Sequence, residues 1–179
     1  MDFYVLRAIG GFTLLSLIII SIKRRVIMSN YIKSLRQHLG HTPLLQVGAS
    51  VIVINQAGQM LMQQRTDCGS WGYAGGSVEL GESVEQTAER ELFEETGLKA
   101  KKLELLGVYS GEKMQYTYPN GDMVSNVDIV YICHEYTGEL KMQASEVSQL
   151  KFMDICDLPE DIFPPNRPAI EDYINKNKT

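Results

Sequence analysis

The sequence predicts a mixed α/β domain of α+β type that spans residues 29–179. Two observations predict this class: apolar runs of strand type alternate with segments of helical spacing, and strong turn signals separate them. A third is that these residues contain no repeat, linker or low-complexity tract. With 44% hydrophobic content, the chain can bury one core. We therefore expect one domain over this range.

Residues 1–28 form an apolar segment ahead of this domain. The run at 3–22 has the length needed to cross a bilayer, and the basic triplet at 23–25 favours a cytoplasmic position for the residues that follow. Met28 suggests a second interpretation, an over-extended gene start, because a plausible soluble helix begins just after it. The sequence leaves both interpretations open.

The domain begins with a short helix and a pair of strands. Residues 30–39 carry apolar side chains at helical spacing, and Gly40 follows where a helix C-cap would lie. Two apolar runs then flank a turn signal at 55–58, which predicts a hairpin whose first strand is buried.

A second helix is predicted at 84–96. Ser83 and Gln86 have the spacing of a capping box, and Gly97 ends the helical pattern. This helix follows directly on a glycine-rich turn that contains Gly75 and Gly76.

The remaining elements follow from turn and proline signals. Two long strands should meet at the Asn-Gly-Asp turn of 120–122, and a last strand lies near 150–153. A proline pair at 164–165 precedes a C-terminal helix at about 167–176.

The negative charge of the chain is concentrated in one segment. Residues 79–95 contain seven glutamates and one arginine, whereas the whole chain carries a net charge of −5. No broad basic face remains, so duplex nucleic acid is not an expected partner. The three widely spaced cysteines indicate neither a disulfide framework nor a zinc site.

Three of these glutamates form a stripe on the predicted helix. Glu91, Glu94 and Glu95 stand at i, i+3 and i+4, so their carboxylates line one face. Close carboxylates repel one another, and a divalent cation reverses this cost. Oxygen ligands in small number suit Mg²⁺, which keeps several waters and is completed by phosphates. The residues alone thus favour a magnesium site, although a solvated acidic face is the common alternative.

These residues match a family motif. Five residues separate Gly76 from Glu82, and seven more precede the run Arg90-Glu91-Leu92-Phe93-Glu94-Glu95-Thr96-Gly97-Leu98. This is a complete Nudix box, and from about residue 44 to 172 the chain resembles bacterial Nudix hydrolases. The resemblance implies an α/β/α sandwich with a mixed central sheet. One departure is Ala74, where many relatives have proline.

The resemblance also implies metal ligands. Glu94 and Glu95 are the expected ligands of Mg²⁺ or Mn²⁺, together with the carbonyl oxygen of Gly75. Glu91 is either a further ligand or the catalytic base.

Supporting roles follow from the same resemblance. Arg90 would orient a neighbouring glutamate, and Glu82 would hold the loop. A glutamate from a later loop often joins the metals or acts as base in relatives; Glu146 is the best placed here, with Glu139 second.

Three residues are candidates for substrate binding, each with a structural alternative. Arg65 would pair with phosphate or form a surface ion pair. Trp71 would stack on a nucleobase or anchor a loop. Tyr118, like Tyr116, would face the substrate or pack across strands.

The expected reaction is hydrolysis of a nucleoside diphosphate linked to another group, by attack of water on phosphorus. ADP-ribose or a nucleotide sugar, a nucleoside triphosphate and a capped RNA end stay open as substrates, because the loops that set specificity lie outside the box. The alternative is a non-catalytic Nudix-fold module that binds a nucleotide. We expect a small-molecule partner, a cytoplasmic catalytic domain and a homodimer, with a membrane as a further partner through residues 3–22.

Overall fold

The computed structural model describes residues 31–177, which fall into two units, one ending at Gly40 and the other beginning at His41. The apolar segment at 1–28 and its predicted boundary lie outside the described residues. Between residues 31 and 177, no helix is both long and apolar enough to span a bilayer.

The described part of the first unit is helix α1 (Tyr31–Leu39), which confirms the predicted lead-in helix. It ends at Gly40, whose φ of +57° is a left-handed conformation that glycine adopts without strain. The N–H of Gly40 donates to the carbonyl of Arg36 at 2.8 Å.

The second unit alternates strands and helices. In chain order these are β1 (Leu44–Val53), β2 (Met60–Arg65), β3 (Trp71–Gly72), β4 (Ala74–Ser77), α2 (Val84–Thr96), β5 (Lys99–Ala100), β6 (Glu104–Tyr109), β7 (Gln115–Thr117), β8 (Met123–Cys133), β9 (Tyr136–Thr137), β10 (Val147–Met153) and α3 (Arg167–Lys176). Three 3-10 turns accompany them, Glu112–Met114, Ile155–Asp157 and Pro164–Asn166.

The main sheet is mixed, as predicted. Its strand order is β4-β1-β8-β6, and β7 also pairs with β8. Strands β1 and β8 run parallel along their whole length, whereas β4, β6 and β7 are antiparallel to their partners. A second, antiparallel sheet has the order β10-β2-β3, and β5 pairs with β9.

Two apolar clusters make the α/β/α layers. Alternate residues of β1 point to opposite faces of the sheet, which divides the core in two. On one face, α2 packs on the strands through Ala88, Leu92, Ala49, Val51 and Val53. On the other face, α3 packs through Ala169, Ile170, Tyr173, Ile52 and Val130. The expected sandwich is therefore confirmed.

Two predicted hairpins differ in detail. The turn at 55–58 forms, with the Gly58 N–H donating to the Asn55 carbonyl at 3.0 Å. However, only the bridge between Ile54 and Met60 joins β1 to β2, because β1 pairs with β4 and β8 instead. The turn at 120–122 does join two antiparallel strands, β7 and β8, but a 3-10 turn interrupts the strand before it.

Candidate active site

Helix α2 presents the acidic stripe in a fixed orientation. Its N-terminus has both hydrogen bonds of the predicted capping box, between Ser83 and Gln86, and its C-terminus has Gly97 at φ +76°. The helix rotation is set by the burial of Ala88 and Leu92 against the sheet. These local features determine which side of α2 carries the glutamates.

The three glutamates of the stripe differ in burial. Glu95 is only 4% exposed, Glu91 is half-buried and Glu94 is exposed. Burial raises the pKa of Glu95 to about 7, and the nearby charges of Glu91 and Glu146 act in the same direction. Burial also raises the pKa of Glu91, while Arg90 opposes the shift. The stripe thus runs from a buried end to an exposed end.

Glu95 is held by two neutral N–H donors. Its Oε2 accepts hydrogen bonds at 2.9 Å from Gln63 Nε2 and from the Gly75 backbone N–H. The resemblance implied that the Gly75 carbonyl binds metal; that carbonyl is a different group from the N–H that donates to Glu95, and its role stays a prediction. Gln63 was missed by the sequence analysis. The signal in the sequence was a polar residue two positions after Leu61 in β2, on the same inward-facing side of the strand.

The double glycine lets strand β4 approach its neighbours closely. A β-carbon on Gly76 would lie 2.6 Å from Cδ of Glu91, and one on Gly75 would lie 2.5 Å from Cβ of Ser50. Real β-carbons do not make such contacts, so any side chain would displace Glu91 or Ser50. The Glu91 carboxylate therefore rests directly on the Gly76 backbone.

Arg90 connects the acidic residues to one another. Its guanidinium donates to Glu82 twice, at 2.9 and 3.0 Å, to Glu91 at 2.5 Å and to Glu94 at 3.3 Å. It also donates to the Ser77 carbonyl at 3.1 Å. Its hydrogen bonds lower the pKa of Glu82. The structure thus places Arg90 among three carboxylates, where it can orient them.

The loop glutamates lie in different places. Glu146 is exposed, and its charge contributes to the raised pKa of both Glu91 and Glu95, so it lies near them. Glu139, the second choice from sequence, has its backbone carbonyl packed against Gly97 at the far end of α2. Glu79 has a buried carboxylate oxygen without a hydrogen-bond partner among residues 31–177, which its sequence position did not suggest.

A pocket adjoins the double glycine. Its lining contains predicted and unpredicted residues: Gln46, Gly48, Ser50, Arg65, Tyr73, Gly75, Gly76, Met114, Tyr118, Asn126, Asp128, Phe163, Pro165 and Asn166. Polar side chains at alternate positions of the otherwise apolar strands β1 and β8 were the signal that could have identified Gln46, Ser50, Asn126 and Asp128 from sequence.

The predicted substrate residues separate into two groups. Arg65 and Tyr118 line the pocket, and the Arg65 guanidinium lies 4.6 Å from the ring centroid of Phe163. Arg65 also pairs with Asp67, at 2.9 and 2.6 Å. Trp71 lies outside the pocket lining, half-buried against the core.

Asp128 is the buried acidic residue of the pocket, at 7% exposure. Ser50 Oγ lies 2.9 Å from its Oδ1 and 3.1 Å from its Oδ2, and the Tyr73 hydroxyl lies 3.4 Å from Oδ2. Burial raises the pKa of Asp128 to about 6, and these hydrogen bonds oppose the shift.

Comparison with known proteins identifies similar chains. The NUDIX domain family model matches residues 44–173. A Bacillus subtilis protein provisionally named an 8-oxo-dGTP diphosphatase is 32% identical over 72% of this chain and 79% of its own length. The ADP-ribose pyrophosphatase of Methanocaldococcus jannaschii is 39% identical over 59% of this chain, and the match spans 58% of that protein.

A solved structure of the same family is also similar to this chain. The crystal structure of a MutT NUDIX hydrolase from Burkholderia pseudomallei superimposes with a TM-score of 0.62 and 28% identity. It covers 72% of this chain and 98% of that one.

Proposed function

Because this chain belongs to the Nudix family of hydrolases, we propose that it uses a divalent cation to cleave the pyrophosphate bond of a nucleoside diphosphate linked to another group. Its relatives are named as diphosphatases and pyrophosphatases, so the chain is an enzyme rather than a binding module. The substrate classes under proposal are ADP-ribose or a nucleotide sugar, and a nucleoside triphosphate.

One observation carries the metal requirement, the burial of Glu95. Among the described residues, the partners of this carboxylate are two neutral amide N–H groups. Burying an ionised carboxylate without an opposing charge costs on the order of several kcal/mol. A cation beside Glu95 and Glu91 offsets this cost.

The donor set suits Mg²⁺ or Mn²⁺. Glu91, Glu94 and Glu95, with the Gly75 carbonyl, offer hard oxygen ligands. No three acidic, histidine or cysteine side chains of residues 31–177 already enclose a common point. Mg²⁺ ordinarily takes one or two carboxylates and completes its shell with waters and substrate phosphates. When bound, the cation neutralises the pyrophosphate and stabilises the charge on the leaving phosphate.

The side chains of the protein supply the other parts of the reaction. Arg90 holds Glu91 and Glu94 in position through charge-assisted hydrogen bonds. Glu91 or Glu146 accepts the proton of the attacking water, because both lie beside the buried end of the stripe. Arg65 lines the pocket and gives two of its five N–H groups to Asp67, so it can also contact a substrate phosphate.

The test is turnover by the full chain with a panel of nucleotides, each with Mg²⁺ and with Mn²⁺. Glu95→Gln should lower kcat by orders of magnitude, since it removes a ligand charge and little volume. Glu89→Gln is the matched control, because Glu89 is exposed on the same helix and should keep kcat within about twofold. Unchanged turnover in Glu95→Gln would remove the metal assignment, and no turnover of any nucleotide would restore the binding-module alternative.

A separate proposal concerns residues 3–22 as a membrane anchor, which is supported by their apolar run and the basic triplet after it. Fractionation of native cells tests it: a membrane-bound species that starts at Met1 supports the anchor. A soluble species that starts at Met28 or Ser29 supports the over-extended gene start.

A further inference from the structure

The pocket has features of a nucleobase site. It is lined both by Gly75 and Gly76, at the proposed catalytic loop, and by the rings of Tyr118 and Phe163, whose centroids lie 6.3 Å apart. Aromatic side chains are platforms on which bases stack. A nucleotide whose phosphates lie near the glycines therefore places its base among the remaining lining residues.

Among these lining residues, Asp128 presents an acceptor to the pocket. It lies opposite Gly48 in the parallel register of β1 and β8. A β-carbon on Gly48 would lie 3.4 Å from Asp128 Oδ1, so a larger side chain there would cover the carboxylate. Glycine at this position leaves the carboxylate in contact with the pocket.

Among residues 31–177, the donors to this carboxylate leave part of it for a ligand. An ionised carboxylate has about four acceptor positions. Ser50 and Tyr73 each carry one hydroxyl proton, so together they fill at most two positions, and Tyr73 does so at the long distance of 3.4 Å. With a pKa of about 6, Asp128 is mostly ionised at pH 7.5 and accepts hydrogen bonds. Buried acceptors of this kind are normally satisfied.

Amide donors lie beside Asp128. Asn126 is two residues earlier on the same face of β8, and Gln46 is its register partner on β1. The Gln46 amide nitrogen already donates to Ser77 Oγ at 2.5 Å, so Asn126 is the better placed of the two to donate to a carbonyl oxygen of a ligand. The pocket therefore presents a carboxylate acceptor next to amide donors.

We propose that Asp128 makes this pocket select guanine-type bases, which present two adjacent N–H donors beside a carbonyl oxygen. The carboxylate accepts from N1–H and the 2-amino group, and an amide donates to O6. Adenine and cytosine place a ring-nitrogen acceptor next to a single amino group, and uracil has one N–H between two carbonyls. Each of these directs an acceptor at Asp128, which is unfavourable. This inference rests on the proposed function, because it takes the pocket as the base site of the substrate. Among the proposed substrate classes it favours a guanosine triphosphate or a guanosine diphosphate sugar over ADP-ribose.

The first test is direct binding of GMP, IMP, AMP and XMP to the full chain by calorimetry at pH 7.5. IMP lacks only the 2-amino group of GMP. GMP should bind roughly 10- to 100-fold more tightly than IMP, the expected effect of one hydrogen bond to a charged group. AMP and XMP should bind more weakly than GMP. Equal binding of the four, or binding of none, overturns the inference.

The second test asks whether substitution of Asp128 shifts the binding preference from GMP towards XMP. In Asp128→Asn the amide accepts from N1–H and donates to a carbonyl at position 2, so XMP should gain affinity while GMP loses roughly 10-fold or more. A structural role for Asp128 would weaken all four nucleotides alike, and that result contradicts the inference. Asp157→Asn is the matched control, since Asp157 is exposed outside the pocket lining, and it should leave the order unchanged.

The binding measurements and the turnover measurements test the base site and the proposed reaction separately. If GMP is preferred but no guanosine nucleotide is hydrolysed, the proposed reaction is wrong and the base site stands. If nucleotides are hydrolysed without preference for guanine, the base site is wrong and the reaction stands.

Discussion

The guanidinium of Arg90 forms two parallel hydrogen bonds with the carboxylate of Glu82, from Nε to Oε1 at 2.9 Å and from Nη2 to Oε2 at 3.0 Å. This pairing fixes the plane of the guanidinium and leaves Nη1 directed at Glu91 and Glu94. Glu82 is itself held by the Thr87 hydroxyl at 2.8 Å. We therefore expect Arg90 to act as a positioning residue for the acidic stripe.

Arg90→Lys should lower kcat by roughly 10- to 100-fold. A lysine ammonium cannot form two parallel hydrogen bonds with Glu82 and also bond to Glu91 and Glu94. KM should change less, since the side chain orients glutamates rather than substrate. Steady-state kinetics with the preferred substrate checks this, with thermal unfolding to show that the fold persists. An unchanged kcat would show that the stripe needs no fixed guanidinium.

The two glycines of β4 should differ in what they affect. Alanine at Gly76 meets the end of the Glu91 side chain, which can move, so Gly76→Ala should lower kcat by about 10-fold or more with little loss of stability. Alanine at Gly75 would place its β-carbon 2.8 Å from Cα of Ser50, so Gly75→Ala should lower the melting temperature instead. Kinetics and thermal unfolding of both variants check this contrast, and equal behaviour of the two would contradict it.

Gln63 should matter more to activity than its neighbour in the strand. Gln63→Leu removes one of the two donors that hold Glu95 and should lower kcat by about 10-fold. It also removes a buried amide oxygen that has no partner among the described residues, so the loss of stability should be small. Gln64→Leu, whose amide bonds to the Gly69 carbonyl, is the control and should keep kcat within about twofold. Equal kcat values for the two variants would exclude the role of Gln63.

The pKa of Asp128 predicts a pH-dependent stability. Burial raises it to about 6 in the folded protein, above the ordinary value of 3.8. Between these values the folded state binds more protons than the unfolded chain, so this contribution to the free energy of unfolding falls as pH rises and is lost above pH 6. Asp128→Asn lacks this dependence. Its free energy of unfolding relative to the wild type should therefore rise by on the order of 2 to 3 kcal/mol between pH 4 and pH 7.5.

Urea denaturation of the metal-free proteins at several pH values measures this difference. Asp157→Asn, an exposed control, should show no comparable trend. If the difference in free energy of unfolding between Asp128→Asn and the wild type did not change with pH, the raised pKa of Asp128 would be contradicted.

The sequence could predict features that depend on short spacing. The caps of α2, its stripe of glutamates and the reach of Arg90 along the helix all follow from residues within one or two turns of each other. Gln63 and Asp128 could not be found in this way. Gln63 reaches Glu95 32 residues later, and Asp128 meets Ser50 from 78 residues away through the parallel pairing of β1 and β8.

Trp71 illustrates the opposite case. The sequence left two roles open for Trp71, stacking on a base and anchoring a loop. Its backbone pairs with Asp161 and Phe163, at 2.8 and 2.7 Å, and its ring packs on the core, which favours the anchoring role. The aromatic wall of the pocket comes instead from Tyr118 and from Phe163, which the sequence analysis did not single out. Which aromatic residue faces the pocket depends on this pairing, which no local pattern encodes.

Binding of Mn²⁺ to the full chain, followed by electron paramagnetic resonance, tests the central claim most directly, because it needs neither a known substrate nor turnover. The wild type and Glu89→Gln should bind Mn²⁺ alike, and Glu95→Gln should bind it at least about 10-fold more weakly. If Glu95→Gln bound Mn²⁺ as tightly as the wild type, the buried end of the acidic stripe would not be the metal site.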